Sequence, residues 1–301
     1  MIRIGTRAST LAQWQAQQAA EGLQQQGVVT SLVLISSEGD ADQVTPLYEM
    51  GVEGIFTKAL DAALLAGTID VAVHSLKDVP TRLAEGLVQA AVLPRGPTED
   101  VLLYKTEAAA LNDVDFPWAI GTCSLRRQAQ WKYRYPNARF ENLRGNMETR
   151  LQQLAQQPWH GAIFAKAGLE RIGLLPPQYA LLDWMLPAPA QGAMVLLCRQ
   201  DDTRTLELCA ALNDEMTAAC VQIERDFLRG LMGGCAMPIA ALAQHHFSHI
   251  SFTGNVCLPD GSDLLEVSCT FSLDEVDEAG FTAADKLLSQ GGHRLLAQIR
   301  K

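Results

Sequence analysis

The feature that most constrains the fold is an alternation of short apolar runs with helical patterns, sustained over the first two-thirds of the chain. Strand-like runs fall at residues 2–4, 32–35, 70–74, 88–93 and 101–104. Two amphipathic helices lie among them. One covers 11–26, with Ser9 or Thr10 as its cap, and the other covers 56–66 and ends at Gly67. The alternation resumes with runs at 119–121, 139–143, 161–165 and 193–198, and helices near 124–133 and 147–156. Such alternation predicts βαβ units on mixed or parallel sheets. Breaks are expected at Pro94-Arg95-Gly96-Pro97 and at Pro187-Ala188-Pro189. A long helix over 213–231 follows, then strands at 239–243, 248–256 and 264–271 and helices at 274–289 and 293–301, which read as a small α+β domain. The predicted domains are 1–95 with about 193–212, then 98–190, then 214–301. A chain of 301 residues, 48% of them hydrophobic, has enough apolar mass for such cores.

Charge is unevenly distributed. The formal net charge is -10, yet Arg126, Arg127, Lys132, Arg134, Arg139, Arg144, Arg150, Lys166 and Arg171 lie together, against only Glu141, Glu148 and Glu170 in that stretch. A cationic field inside an anionic protein points to an anion-binding site, and guanidinium forks suit carboxylate or phosphate. The overall acidity argues against a general nucleic-acid binder, although Trp131, Tyr133 and Tyr135 among the arginines supply rings that such binding needs. The same rings could equally pack a helix on its sheet. Seven widely spaced cysteines with no C-x-x-C pair predict neither a disulfide framework nor a zinc site, and fit a reducing cytoplasm. Cys198, Cys209, Cys220 and Cys269 sit in apolar patterns and read as inert core. No metal-ligand spacing is present among the histidines, and His245, His246 and His249 read as surface residues of a polar loop. Neither a signal peptide nor a membrane span is expected.

Six segments could carry chemistry. Val73-His74-Ser75-Leu76-Lys77-Asp78-Val79-Pro80 ends an apolar strand, where ligands of α/β sheets gather. It sets a hydroxyl, an ammonium and a carboxylate side by side, suited to acid–base work or to stabilising a cation. A plain polar turn is the alternative. Gly121-Thr122-Cys123-Ser124-Leu125-Arg126-Arg127 reads as a strand end and a helix N-terminus, with hydroxyls, free N–H groups and guanidiniums for an anion, or simply as a capped helix with surface arginines. Adjacent arginines point about a hundred degrees apart on a helix, so they could grip two separate anionic groups. Leu143-Arg144-Gly145-Asn146 repeats the design, with Arg150 one turn on, and Gly5-Thr6-Arg7-Ala8-Ser9 is a third such turn. Pro189-Ala190-Gln191-Gly192-Ala193 precedes a strand that crosses back. Gly233-Gly234-Cys235-Ala236-Met237-Pro238 presents a thiol after two glycines, so a nucleophilic or covalently modified cysteine is one reading.

Taken together these segments resemble the porphobilinogen deaminase (hydroxymethylbilane synthase) family. The resemblance runs the length of the chain and includes Phe56-Thr57-Lys58, Ala167-Gly168-Leu169-Glu170-Arg171 and Gln191-Gly192-Ala193 as well. It implies two α/β domains of the type-II periplasmic-binding-protein kind flanking a cleft, plus a small C-terminal α+β domain. It implies a dipyrromethane cofactor joined to Cys235 through a thioether. On it, four porphobilinogens are condensed with loss of ammonia and a linear hydroxymethylbilane is released. Asp78 is implied as the catalytic residue that assists deamination and stabilises the positive pyrrole intermediates. Ser75, Lys77, Thr122, Ser124, Arg126, Arg127, Gly145 and Gln191 are implied in cofactor binding, and Arg7, Ser9, Arg144, Arg150 and Arg171 in holding substrate and growing chain. The same resemblance implies a monomer, while the charge, hydropathy and cysteine pattern above point to a cytoplasmic protein without a metal, membrane or nucleic-acid partner.

This chain departs from the family pattern at Glu53, where many relatives have Lys, at Cys123, where Ser is common, and at Ala236 and Met237, where a more polar residue is frequent. Glu53 lessens any anion steering by the lid expected at 37–51. The thiol of Cys123 is a weaker donor than a hydroxyl and a candidate for oxidation. A non-catalytic anionic-solute-binding or sensing module of the same architecture is the competing reading, and ammonia release separates the two.

Overall fold

The computed structural model describes residues 1–36, 54, 56–233 and 237–300. They form two compact units, 1–96 with 192–219 and 97–191 with 220–300, and three sheets.

In the first unit β1 (Ile2–Thr6), β2 (Thr30–Leu34), β3 (Val71–Ser75), β4 (Leu87–Leu93) and a returning strand β10 (Met194–Arg199) lie in the order β2-β1-β3-β10-β4. β1 is parallel to β2 and β3, while β10 runs antiparallel to β3 and β4. Helix α1 (Thr10–Gln25) packs Ala16, Ala19, Ala20 and Leu23 against Ile2, Ile4, Val71, Val73 and Leu196. These helix positions recur every three or four residues and form one apolar stripe. Ser9 caps α1 by accepting from the Ala12 N–H at 3.3 Å. α2 (Lys58–Leu65) buries Leu60 and Leu64.

The second unit repeats this plan. β5 (Asp100–Tyr104), β6 (Ala119–Gly121), β7 (Arg139–Glu141), β8 (Gly161–Ala165) and β9 (Ala180–Leu181) lie in the order β7-β6-β8-β5-β9. Here β5 is the antiparallel strand in fourth place. That order, with a reversed fourth strand, is the type-II periplasmic-binding-protein arrangement that the resemblance implied. Alternation along β5 and β8 divides the core. Leu102 and Ile163 join Trp118, Ile120, Trp131 and Tyr135 in one cluster. Val101, Leu103, Ala162 and Phe164 join Leu143, Leu154, Trp159 and Leu169 in another. Central strands buried on both faces read as continuous apolar runs, which is why their positions were legible.

The connecting helices are α3 (Leu125–Arg134), α4 (Met147–Gln156) and α5 (Lys166–Arg171). After β10 come α6 (Thr203–Ala210) and α7 (Glu215–Gly230). Helices α5 and α6 are absent from the sequence reading. In α5 the buried residues Ala167, Gly168 and Leu169 are consecutive, and in α6 they are Thr205 and Cys209, so neither writes a clear apolar helical repeat.

The third sheet is an antiparallel meander of β11 (Ile239–His246), β12 (His249–Cys257) and β13 (Leu264–Phe271), covered by α8 (Val276–Leu287) and followed by α9 (His293–Ile299). It clusters with 97–191 in one compact unit. Gly261 explains part of that packing. Its φ is +72°, and a Cβ there would lie 2.5 Å from the Tyr133 nitrogen on α3.

Two sequence expectations are corrected, and one alternative left open is resolved. The histidines sit at a hairpin tip rather than in a loop: His246 ends β11, His249 opens β12, and their rings stack at 4.8 Å. Cys269 is half-buried rather than core, because its strand faces α8 at an edge where the Lys286 Nζ reaches its sulfur at 3.7 Å. Trp131 and Tyr135 are fully buried, so of the three rings named only Tyr133 is exposed, and the stacking platform required for nucleic acid is missing there.

Candidate functional site

In the first unit, β3 runs into a single 3-10 turn, Leu76–Asp78. The Leu76 N–H donates to the Ala193 carbonyl at 3.0 Å and the Val79 N–H closes the turn on Leu76 at 3.1 Å. Leu76 and Val79 are buried, so Lys77 and Asp78 between them are half-buried on a fixed turn. The Ser75 hydroxyl accepts from the Gln15 side chain at 2.8 Å. Arg7, on the β1–α1 turn, lays its guanidinium over the Phe56 ring at 4.2 Å. Behind this turn His74 is buried, and its Nε2 meets no hydrogen-bond partner among the described residues. Burial, helped by the Arg7 charge, pushes His74 down to about 4, so its ring is neutral.

In the second unit, Ser124 caps α3 by accepting from the Arg127 N–H at 3.4 Å, and the buried Thr122 hydroxyl accepts from the Ser124 N–H at 3.3 Å. Arg126 and Arg127 then depart from expectation. Their guanidiniums do not diverge to two anionic groups. Both turn inward onto one protein carboxylate, Asp100, which is fully buried at the start of β5. The Arg126 Nη2 donates to its Oδ2 at 2.6 Å and the Arg127 Nη2 to its Oδ1 at 2.7 Å. Flexible side chains undo the divergence of their Cα–Cβ bonds. Gln191 joins them, donating from Nε2 to Asp100 Oδ1 at 2.9 Å and to the Thr98 carbonyl at 2.7 Å.

Burial alone would raise the Asp100 pKa. The two guanidiniums outweigh it and hold the carboxyl well below the usual carboxylate range. Each guanidinium also meets a main-chain carbonyl: Arg126 Nη1 donates to Leu186 at 2.6 Å and Arg127 Nη1 to Ile163 at 3.0 Å. A guanidinium carries five N–H donors. On each arginine two of its nitrogens are engaged, and neither buried Nε–H meets an acceptor among the described residues.

The next βα turn is built differently. Asn146 caps α4, accepting from the Thr149 N–H at 2.8 Å. Gly145 holds φ at +97°, a left-handed conformation that favours glycine. Arg150 Nε donates to the Gly145 carbonyl at 2.8 Å, Arg150 is half-buried, and Arg144 is buried. The Cys123 thiol donates to the Leu143 carbonyl at 2.7 Å. Burial raises its pKa, while Arg150, Arg144 and Arg127 oppose the rise, which places these three charges around one sulfur. Arg171 ends α5 and is pushed down to about 10 by burial. Of the arginines in the cationic stretch to which the resemblance gives no role, Arg134 and Arg139 are exposed, and Arg134 stacks on Trp184 at 4.8 Å.

Asp100 went unseen in the sequence reading. Its signal was an acid opening the apolar run Val101-Leu102-Leu103, a charge that burial obliges to find partners. Glu224 was missed as well. It is fully buried on α7 and accepts from the Ala190 N–H at 2.6 Å and the Ala243 N–H at 2.7 Å. It thereby holds Ala190, whose φ is +62°, next to Gln191. Cys235, Glu53, Ala236 and the segment 37–51 lie outside the described residues. Among those described, no group of three metal-ligating side chains is assembled, and no helix is long and apolar enough to cross a membrane.

Fold and site define an α/β protein with cationic turns suited to carboxylate ligands. Comparison with known proteins makes this specific. Residues 2–207 match the model of "Porphobilinogen deaminase, dipyromethane cofactor binding domain" and residues 218–289 match "Porphobilinogen deaminase, C-terminal domain". A porphobilinogen deaminase of Syntrophotalea carbinolica is 40% identical over 99% of this chain and 96% of its own. The chloroplastic enzyme of Oryza sativa subsp. japonica is also 40% identical, over 97% of this chain and 84% of its own. That of Maridesulfovibrio salexigens is 38% identical over 99% and 98%. The chain belongs to the porphobilinogen deaminase family.

Proposed function

We propose that the protein is a hydroxymethylbilane synthase, a transferase that joins four porphobilinogens head to tail, loses one ammonia per unit and releases linear hydroxymethylbilane. The observation that carries this reading is the Arg126–Arg127 pair: two buried guanidiniums, fixed by the protein, with donors left over. One carboxylate between two guanidiniums leaves a net positive charge, so a ligand carboxylate is electrostatically welcome there. The donor set therefore fits a polycarboxylate such as dipyrromethane. Held on Cys235 by a thioether, dipyrromethane supplies the primer to which the first unit is added.

Ser75, Lys77, Thr122, Ser124, Arg126, Arg127, Gly145 and Gln191 hold the primer. Gln191 does so through Asp100, since its amide is turned to that carboxylate. Arg7, Ser9, Arg144, Arg150 and Arg171 hold the carboxylates of substrate and growing chain. Each pyrrole adds two carboxylates, so arginines on several turns are required. Asp78 passes a proton as ammonia leaves and faces the positive charge that develops on the pyrrole. The rigid turn at Leu76–Asp78 supports this role, because a charge that does not reorganise stabilises a transition state best. The reading extends to a cytoplasmic monomer in tetrapyrrole biosynthesis.

Intact mass tests the reading. The purified protein is expected to exceed its sequence mass by one dipyrromethane, and Cys235→Ala to lack the increment. An active protein with no increment overturns it, and so does failure to release ammonia from porphobilinogen. Asp78→Ala is expected to fold normally, with turnover reduced at least about a hundredfold, in the range of a lost general acid. Near-normal turnover removes Asp78 from the mechanism.

A further inference from the structure

We propose that Asp100 is a positioning residue that aims the Arg126 and Arg127 guanidiniums at a ligand carboxylate without touching the ligand itself. The inference rests on the assignment of those two arginines to primer binding and adds the group that makes them competent. Asp100 is fully buried, so it acts through its neighbours. Its Oδ2 takes Arg126 and its Oδ1 takes Arg127, at 2.6 and 2.7 Å. The second anchors are main-chain carbonyls, Leu186 and Ile163. Each planar fork is thus fixed at two points, which sets its rotation as well as its place.

The carboxylate is itself held. Gln191 donates to Oδ1 at 2.9 Å and ties it to the Thr98 carbonyl, while β5 pairs Asp100 with Ala165 of β8. The Leu186 anchor is fixed in the same way. Gln130 on α3 accepts from the Leu186 N–H at 2.9 Å and donates to its carbonyl at 3.0 Å. Charge matters alongside geometry. Two guanidiniums side by side repel, and the attraction of one carboxylate between them outweighs that repulsion while leaving a net single positive charge for the ligand. A neutral Asn at 100 would offer only one acceptor oxygen. It would also turn an amide N–H toward the second guanidinium, donor against donor.

The experiment compares the parent protein with Asp100→Asn and Asp100→Glu. Three quantities are read on each: the thermal unfolding midpoint, the fraction of molecules carrying the dipyrromethane mass increment, and the arginine side-chain Nε–H resonances, assigned with Arg126→Lys and Arg127→Lys. KM and kcat for porphobilinogen are measured on the loaded fraction. The expected order of loading is parent, then Asp100→Glu, then Asp100→Asn, with the Asn variant at least about fivefold down while still folded at the assay temperature. Its two arginine resonances should lose their dispersion. A displacement of about 1 Å is enough for losses of this kind at a positioned site. A folded Asp100→Asn that loads like the parent and keeps both resonances overturns the proposal. If that variant does not fold, Asp100→Glu decides, and parent-like loading in it overturns the proposal. Failure of both to fold assigns Asp100 to stability alone and likewise overturns it. A parent protein with no increment and no ammonia release defeats the functional assignment instead, and the resonances still report whether Asp100 orders the two arginines.

Discussion

His74 and Asp100 are titratable groups buried in the two α/β units, and the protein treats them in opposite ways. His74 lies on β3 with an Nε2 that meets no partner among the described residues, and burial pushes its pKa down to about 4, so it is neutral at pH 7. Asp100 lies on β5 with three side-chain donors around it, and the arginine charges keep it ionised. A buried ionisable group must either give up its charge or have it compensated. The first solution leaves a polar atom unsatisfied but requires nothing of the rest of the fold. The second requires three side chains from distant parts of the sequence to converge. What it returns is a rigid pair of cations.

The sharpest way to break this comparison is to remove the carboxylate. Asp100→Ala leaves two buried guanidiniums without their counter-charge, and breaking a buried pair costs about 3–5 kcal/mol. His74→Leu, of similar volume, removes a polar atom that already lacks its partner. Its expected cost at pH 7 is within about 1.5 kcal/mol. Chemical denaturation of both variants checks the difference. Equal losses would mean that the His74 ring carries interactions as strong as the ion pairs.

Acid titration separates the two groups by window. For His74 the folded value of about 4 lies below the ordinary 6.5, so the unfolded chain binds the proton first. Stability then falls as pH drops from 6.5 toward 4, by on the order of 3 kcal/mol at about 1.4 per unit, and levels off below. For Asp100 the folded pKa is depressed below 3.8, so its contribution is complete above 3.8 and is lost only as pH falls further. In His74→Leu the limb between 6.5 and 4 should shrink while the limb below 3.8 stays. If the upper limb is unchanged, the titrating group is not His74.

This contrast also explains what could be read in the sequence. The central strands were legible because burial on both faces writes an unbroken apolar run, as in Gly161–Ala165. Ser9 was legible as a candidate cap of α1 because a cap and its N–H lie three residues apart. The return of β10 was read in the segment before it, but its antiparallel direction was not. Asp100 was not legible, since its partners lie 26, 27 and 91 residues away and no local pattern encodes that meeting. The inward turn of both arginines was hidden for the same reason. Helical spacing fixes where a side chain starts, and a partner elsewhere in the chain decides where its head group ends.

The smallest expected effect lies in the helix caps behind the two arginine turns. Ser124 and Asn146 do the same job, yet Asn146 accepts at 2.8 Å and Ser124 at 3.4 Å. Losing a cap costs about 0.5–2 kcal/mol. Asn146→Ala should therefore approach the upper part of that range, while Ser124→Ala should fall near the bottom, because α3 is also pinned by Arg126 and Arg127 on Asp100. The coupling between the two anchors gives a finer reading. In an Asp100→Asn background α3 loses part of its pin and leans more on its cap. Ser124→Ala should then cost more than it does alone, by a few tenths of a kcal/mol to about 1, the interaction term of a double-mutant cycle between neighbours. Asn146→Ala should cost the same in both backgrounds, since α4 makes no bond to Asp100 among those described. A coupling that appears at Asn146 instead would show that the two turns act as one unit.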